Sequence, residues 1–183
     1  MSINISHPLP HRLIAFIDEH RHRDFHWGEH DCCLFIADWI LARGDRADLG
    51  DIGADYRGQY TNALGAMRAV KAAGFDDLTA LFDALLGPHV PPLLCRRGDV
   101  VLIKPDFTQE PHTQGPHTQE LQNTQELHTQ DPQKSALGIA GGDGVWGLSQ
   151  KGVVSLPASS IQWGWSLHLA SPLVQSRLGG RHG

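Results

Sequence analysis

The chain has 183 residues, 40% of them apolar, which is enough for one domain with a buried core. Its 15 Lys and Arg against 20 Asp and Glu give a net charge of −5, and this argues against nucleic-acid binding, which usually requires a basic face. No apolar run approaches the ~20 residues of a membrane helix, and no secretory signal is visible at the N-terminus. We therefore expect a cytoplasmic protein with neither nucleic-acid nor membrane partners, which a larger assembly could still carry outward.

Four helices are predicted in the first half of the chain. The second has clear boundary signals, because Asp31 is placed to cap its start and Gly44 to end it. Thr61 is expected to cap the third helix in the same way. From apolar spacing and these signals, the predicted helices lie at about residues 10–22, 32–42, 62–73 and 76–86.

Short apolar segments separated by glycine turns predict strands in the second half. The first follows the Gly98-Asp99 turn and covers Val100 to Ile103. The others read ALGIA, GVWGL, GVVSLP and, last, WGWSLHLA. Helices first and strands second indicate an α+β domain, with N-terminal helices followed by a small antiparallel sheet.

Residues 105–134 differ in kind from the rest of the chain. Thr-Gln recurs there mostly every five residues, His-Thr-Gln appears three times, and large apolar residues are scarce. Such a segment buries too little surface to offset its ordering entropy, so we predict a disordered insertion. A metal-binding loop through its three histidines is the alternative. The remaining chain, 1–104 and 135–175, is predicted to form a single domain, with a flexible tail at 176–183.

The stretch HWGEHDCCLF carries the strongest functional signal. Cys32 would occupy the first turn of the second helix, where unpaired backbone N–H groups favour a thiolate. Catalysis would also require a base, normally histidine. The alternative is packing, because free cysteines are often buried, and Cys33 on the apolar face is expected to pack. With Cys95 the cysteine count is odd and two are adjacent, so free thiols are expected rather than disulfides.

WGEHDC before an apolar helix, then RGDVVLI, then ALGIAGGDGVWGL, resembles the NlpC-type cell-wall peptidases, which are cysteine hydrolases with a papain-like fold. The resemblance implies a papain-like α+β fold with the nucleophile at Cys32 and Asp99 in the Gly-Asp turn. It also places Ala136 where the family has its catalytic histidine. Alanine cannot accept a proton, so the chain is expected to be a degenerate peptidase or amidase, with chemistry that is lost or rearranged.

A closer resemblance covers nearly the whole chain outside the insertion. WGEHDCCLFIADWI, YRGQYTNALGAMRAV, LGPHVPPLLCRRGDVVLI and WGWSL are similar to an uncharacterised family of phage and prophage proteins, often encoded beside tail genes. This resemblance implies a tail-associated, virion-borne protein with phage tail proteins or peptidoglycan as partners. A non-catalytic structural or assembly protein of the same fold is the alternative.

Other residues are candidates for supporting roles. His30 lies two positions before Cys32 and His168 lies on the predicted last strand, so each is a candidate base for the thiol. Residues that could line a groove, or simply fix the loops, are Trp27, Asp31, Tyr56 and Arg57.

A metal site is a third hypothesis for the region around Cys32. His22, His26 and His30 are spaced by four, and two cysteines follow. However, Trp27-Gly28 interrupts the run, and the cysteine-pair spacing of structural zinc sites is missing. We therefore expect neither a metal nor a cofactor.

Overall fold

The computed structural model describes residues 8–104 and 136–168, so the predictions for the insertion at 105–134 and the tail at 176–183 lie outside the described residues. Within the two described ranges, four helices come first: α1 Leu9–His20, α2 Cys32–Arg43, α3 Ala63–Ala72 and α4 Leu78–Leu86. Five strands follow in the described residues: β1 Val100–Ile103, β2 Ala136–Ala140, β3 Gly144–Ser149, β4 Gly152–Pro157 and β5 Ile161–Trp165. The prediction of an α+β chain with an antiparallel sheet is confirmed.

The strands form one antiparallel sheet in the order β4-β3-β2-β1-β5. Strand β1 is buried along its whole length, since Val100 and Leu102 face the helices and Val101 and Ile103 face a smaller cluster on the other side. In the β1–β2 pair, Val100 lies opposite Ile139 and Ile103 lies opposite Ala136. The start of β2 is therefore at the end of β1 that is far from Asp99.

Helix α2 lies at the centre of the core, between α1 and strands β2 and β3. Its buried side chains include Phe35, Ile36 and Trp39, each essentially inaccessible to solvent. Asp31 caps its first turn, and Gly44 ends it in the left-handed conformation with φ of 69°. Both predicted boundary signals of this helix are confirmed.

The C-terminal half of α2 holds the turn that leads into β1. The Trp39 indole donates to the Gly98 carbonyl at 2.8 Å, and the buried guanidinium of Arg43 donates to the same oxygen at 2.9 Å. Arg43 is also paired with Asp45 at 2.8 Å, so its charge is balanced. These contacts fix the Gly98-Asp99 turn against the helix that carries Cys32.

Two predictions about boundaries are wrong. Asn62, not Thr61, caps α3, because its side chain accepts from the backbone N–H of Gly65. The last strand begins earlier than predicted and ends at Trp165, so His168 lies beyond the strand rather than on it.

Among residues 8–104 and 136–168, no helix has both the length and the apolar character needed to cross a membrane.

Candidate functional site

The carboxylate of Asp31 organises the segment around the N-terminus of α2. One oxygen accepts from the backbone N–H groups of Cys33 and Leu34, at 3.0 and 3.1 Å. The other accepts from the N–H of Gly28 at 2.9 Å and from the hydroxyl of Tyr60 at 2.7 Å. Asp31 is buried, and both oxygens are engaged within the protein. The side chain therefore stabilises the site, and neither oxygen is left for a ligand.

The Trp27-Gly28 turn packs against the loop that precedes α3. Gly28 has φ of 74°, and a Cβ there would overlap the carbonyl oxygen of Tyr60, so glycine is required. The Gly58 N–H donates to the Gly28 carbonyl at 2.8 Å. Half-buried Trp27 packs edge-on against Phe25 and Tyr60, with ring centroids 4.9 and 6.4 Å apart. Trp27 thus has a packing role in the described structure.

The pKa values of the two adjacent cysteines are shifted in opposite directions. Both thiols are free and half-buried in the described structure. A hydrogen bond from the Cys33 thiol lowers the pKa of Cys32, and the backbone N–H groups of Leu137 and of Cys32 itself act in the same direction against burial and the Asp31 charge. The pKa of Cys33 is raised well above its usual value by its bond to Cys32 and by burial. A thiolate at this site is therefore carried by Cys32.

Strand β2 brings a backbone amide, and no histidine, to the Cys32 thiol. The Leu137 N–H interacts with the sulfur, and half-buried Ala136 is the adjacent residue at the start of the strand. Cys32 and Ala136 are the two positions at which the resemblance to NlpC-type peptidases predicts a nucleophile and a base. In the described part of the chain, Cys32 thus has donors that stabilise negative charge but no imidazole to exchange a proton.

His30 does not serve Cys32 in this arrangement. Its ring is fully buried, stacks on His20 with centroids 5.3 Å apart, and meets Phe35 edge-on at 6.1 Å. Burial, followed by the positive field of Arg23, lowers the pKa of His30 to about 4. The imidazole therefore lies among α1 and α2 side chains and is neutral at ordinary pH.

His168 belongs to the opposite end of the sheet. It is exposed, and its Nε2 lies 3.6 Å from a carboxylate oxygen of Asp99. The same carboxylate is buried and accepts from the backbone N–H groups of Arg96 and Leu167.

The strand register shows how far the His168–Asp99 pair lies from Cys32. Asp99 precedes β1, whereas Ala136 pairs with Ile103 at the other end of that strand. Four residues of strand correspond to roughly 13 Å. The structure therefore does not bring His168 to Cys32.

Tyr56 and Arg57 have different surroundings despite being adjacent. The Arg57 guanidinium pairs with Asp38 at 2.9 Å and Asp51 at 3.2 Å, which fixes the loop before α3 to helix α2. Tyr56 is half-buried near the cysteines, and its pKa is raised by burial and by the negative fields of Asp55 and Cys33. Tyr56, unlike Arg57, therefore interacts electrostatically with Cys33.

The three histidines of the metal-site hypothesis do not form a ligand cluster in the described residues, although the backbones of His26 and His30 pair with each other. His22 and His26 are both exposed, and only His30 of that set is buried. Within the described residues, the one cluster of metal-ligating side chains is instead His20, His30 and Asp38, with ligand atoms within 4.8 Å of one another. Sequence analysis does not identify His20 and Asp38 as ligands, because they approach His30 only through the packing of α1 on α2. No spacing in the sequence indicates this contact.

A family model described as a domain of unknown function, DUF6950, matches residues 7–120, more than half of the chain. The chain belongs to the DUF6950 family. The matched range of the DUF6950 domain includes α1 to α4 and β1, and therefore Cys32, whereas β2 with Ala136 lies beyond it. No curated protein and no solved structure matches the chain.

Proposed function

We propose that this DUF6950 protein is a phage- or prophage-derived, tail-associated protein with an NlpC-type papain-like fold. On this proposal it is a degenerate cysteine peptidase or amidase of the cell wall, and Ala136 replaces the histidine that would accept and return the proton. Support comes from the arrangement in which the central helix of the core begins at a cysteine and packs against the antiparallel sheet.

The observation that carries the proposal is the juxtaposition of Cys32 with the start of β2. The Cys32 sulfur interacts with the Leu137 amide, and Ala136 is next to it. The Ala136 side chain itself packs against the smaller cluster on the far face of the sheet, so a histidine at this position would have to turn around the end of β2 to act as the base that nucleophilic catalysis requires. The nucleophile and charge-stabilising amides are thus retained without the base.

The missing base affects the second half of an amide cleavage most. After a thiolate adds to the carbonyl, the amine can leave only when it receives a proton, and imidazolium normally supplies it. Without that donor, the tetrahedral adduct returns to the substrate. We therefore expect the wild-type protein to hydrolyse cell-wall peptides no faster than a variant without the thiol.

Restoring the histidine tests this proposal. Peptide release from purified cell wall is measured for wild type, Cys32→Ala, Ala136→His and the double variant Ala136→His/Cys32→Ala. We expect release above background only from Ala136→His, and its loss in the double variant. The proposal of a degenerate enzyme fails if the wild-type protein releases more peptide than Cys32→Ala does, because an unrecognised base would then be present. The papain-like assignment fails if folded Ala136→His shows no Cys32-dependent release.

A second candidate function is a non-catalytic assembly role in the same fold. It is favoured by the packing of half-buried Cys32 against the main core cluster, where a thiol needs no chemistry to be useful. The discriminating test is complementation of a phage that lacks the gene. If Cys32→Ala restores particle assembly and infectivity to the wild-type level, the protein contributes structure and not thiol chemistry.

A further inference from the structure

The imidazole of His30 is the most anomalous buried side chain of the described structure. It has no exposed surface, and neither Nδ1 nor Nε2 has a hydrogen-bond partner in the part of the chain that the structure describes. A neutral imidazole carries one donor and one acceptor, and leaving such buried groups unpaired costs about 1–3 kcal/mol each. A bound ligand that pairs with a ring nitrogen would remove this cost.

His20 contributes a second buried imidazole to the same cluster. It is buried in the last turn of α1, and its Nδ1 lies 2.9 Å from the Phe16 carbonyl oxygen. Because a carbonyl only accepts, Nδ1 carries the proton and Nε2 carries the lone pair. A histidine that donates one N–H to a backbone carbonyl is the usual arrangement for a metal ligand, since that bond fixes the tautomer and the ring orientation.

Asp38 supplies an anionic oxygen from α2. One of its carboxylate oxygens accepts from Arg57 at 2.9 Å, which orients the group. The ligand atoms of His20, His30 and Asp38 all lie within 4.8 Å of one another, yet no hydrogen bond joins them in the described structure. The gap therefore suits a shared ion better than a direct contact.

We propose that His20, His30 and Asp38 bind a divalent transition-metal cation, with Zn²⁺ as the best-matched ion. Two imidazole nitrogens and one carboxylate oxygen are a ligand set that zinc accepts, with a water in the fourth tetrahedral position. Ligands at about 2.1 Å from zinc are roughly 3.4 Å apart in a tetrahedron, so binding draws the three side chains inward by about 1 Å. The ion joins α1, the 26–31 turn and α2.

The test uses the full chain, stripped with a chelator and titrated with Zn²⁺, with bound metal counted by elemental analysis. Co²⁺ absorption reports the coordination geometry independently of any activity. The background variant replaces the three histidines of the repetitive segment, His112, His117 and His128, with Gln. In this background we expect one Zn²⁺ per chain and a tetrahedral Co²⁺ spectrum.

Ligand variants decide the assignment. His30→Leu and Asp38→Asn should each weaken Zn²⁺ binding at least about tenfold, whereas His22→Gln, at an exposed histidine nearby, should leave it unchanged. Two ligand variants are used so that a folding defect in one, seen by circular dichroism, leaves the other informative. The proposal is overturned if the background protein binds no Zn²⁺, or if the folded ligand variants retain its affinity.

Discussion

Asp31 and His30 are adjacent in sequence and almost equally buried, at 1% and 0% exposure, yet their polar atoms are treated in opposite ways. The carboxylate of Asp31 accepts four hydrogen bonds, from three backbone N–H groups and one tyrosine hydroxyl. The imidazole of His30 has none from the described residues. All the hydrogen-bonding capacity of the Asp31 carboxylate is used within the described structure, whereas the His30 imidazole has no hydrogen-bond partner there.

This difference separates two functions that one short stretch combines. The Asp31 side supports the cysteine, because its hydrogen bonds fix the first turn of α2 and the loop that contains Tyr60. The His30 side faces α1 and is chemically separate from the thiol. A single sequence motif thus contributes to a thiol site on one side and to the proposed cation site on the other.

The largest expected effect on stability comes from removing the hydrogen-bonded carboxylate of Asp31. Asp31→Ala deletes a helix cap and leaves the buried Gly28 N–H and Tyr60 hydroxyl unpaired, so we expect a loss of about 4 kcal/mol in the free energy of unfolding. Asp77→Ala is the matched control, since Asp77 caps α4 through one exposed hydrogen bond and should cost about 1 kcal/mol. Denaturant unfolding measures both, and equal losses would contradict the role given to Asp31.

The second effect is a pH dependence that originates at His30. The unfolded chain binds the proton near the ordinary pKa of 6.5, but folded His30 resists it until about pH 4. Stability should therefore fall as the pH drops from 6.5 to 4, by about 3 kcal/mol in metal-free protein. The pKa of His30 is lowered mainly by burial of the ring, and then by the positive charges of Arg23, His20 and His26. The Asp38 carboxylate on α2 also faces this cluster.

His30→Leu is the control for that dependence. Leucine has no proton to bind and leaves no unpaired nitrogen, so the chelator-treated variant should be at least as stable as wild type near pH 5 and should lose most of the slope between pH 6.5 and 4. Urea midpoints across this range provide the measurement. A slope that persists unchanged in the variant would assign the acid sensitivity to other groups.

Local signals were sufficient for much of the fold. The cap at Asp31, the stop at Gly44 and the apolar run at Val100 to Ile103 each act through neighbouring backbone, so sequence alone located α2 and β1. The α3 cap was displaced by one residue because Thr61 and Asn62 are both competent caps, and only the backbone conformation selects between them.

The contacts between distant segments could not be predicted. The Tyr60 hydroxyl on Asp31 and the Leu137 amide on Cys32 join residues that are 29 and 105 positions apart, and no periodicity encodes them. The mostly apolar segment WGWSLHLA predicts His168 on the last strand, but the strand ends at Trp165 and the Leu167 N–H instead donates to Asp99.

Cys32, at the α2 N-terminus and next to the Leu137 amide, is expected to be the reactive thiol of the protein. Its alkylation by iodoacetamide over a pH series, followed by fragmentation mass spectrometry that separates Cys32 from Cys33, tests this most directly. Cys95 is an internal reference, because burial raises its pKa to about 11. We predict that Cys32 reacts at the lowest pH, with Cys33 and Cys95 reacting only at higher pH. Alkylation of all three at the same pH, or of Cys33 before Cys32, would contradict the account.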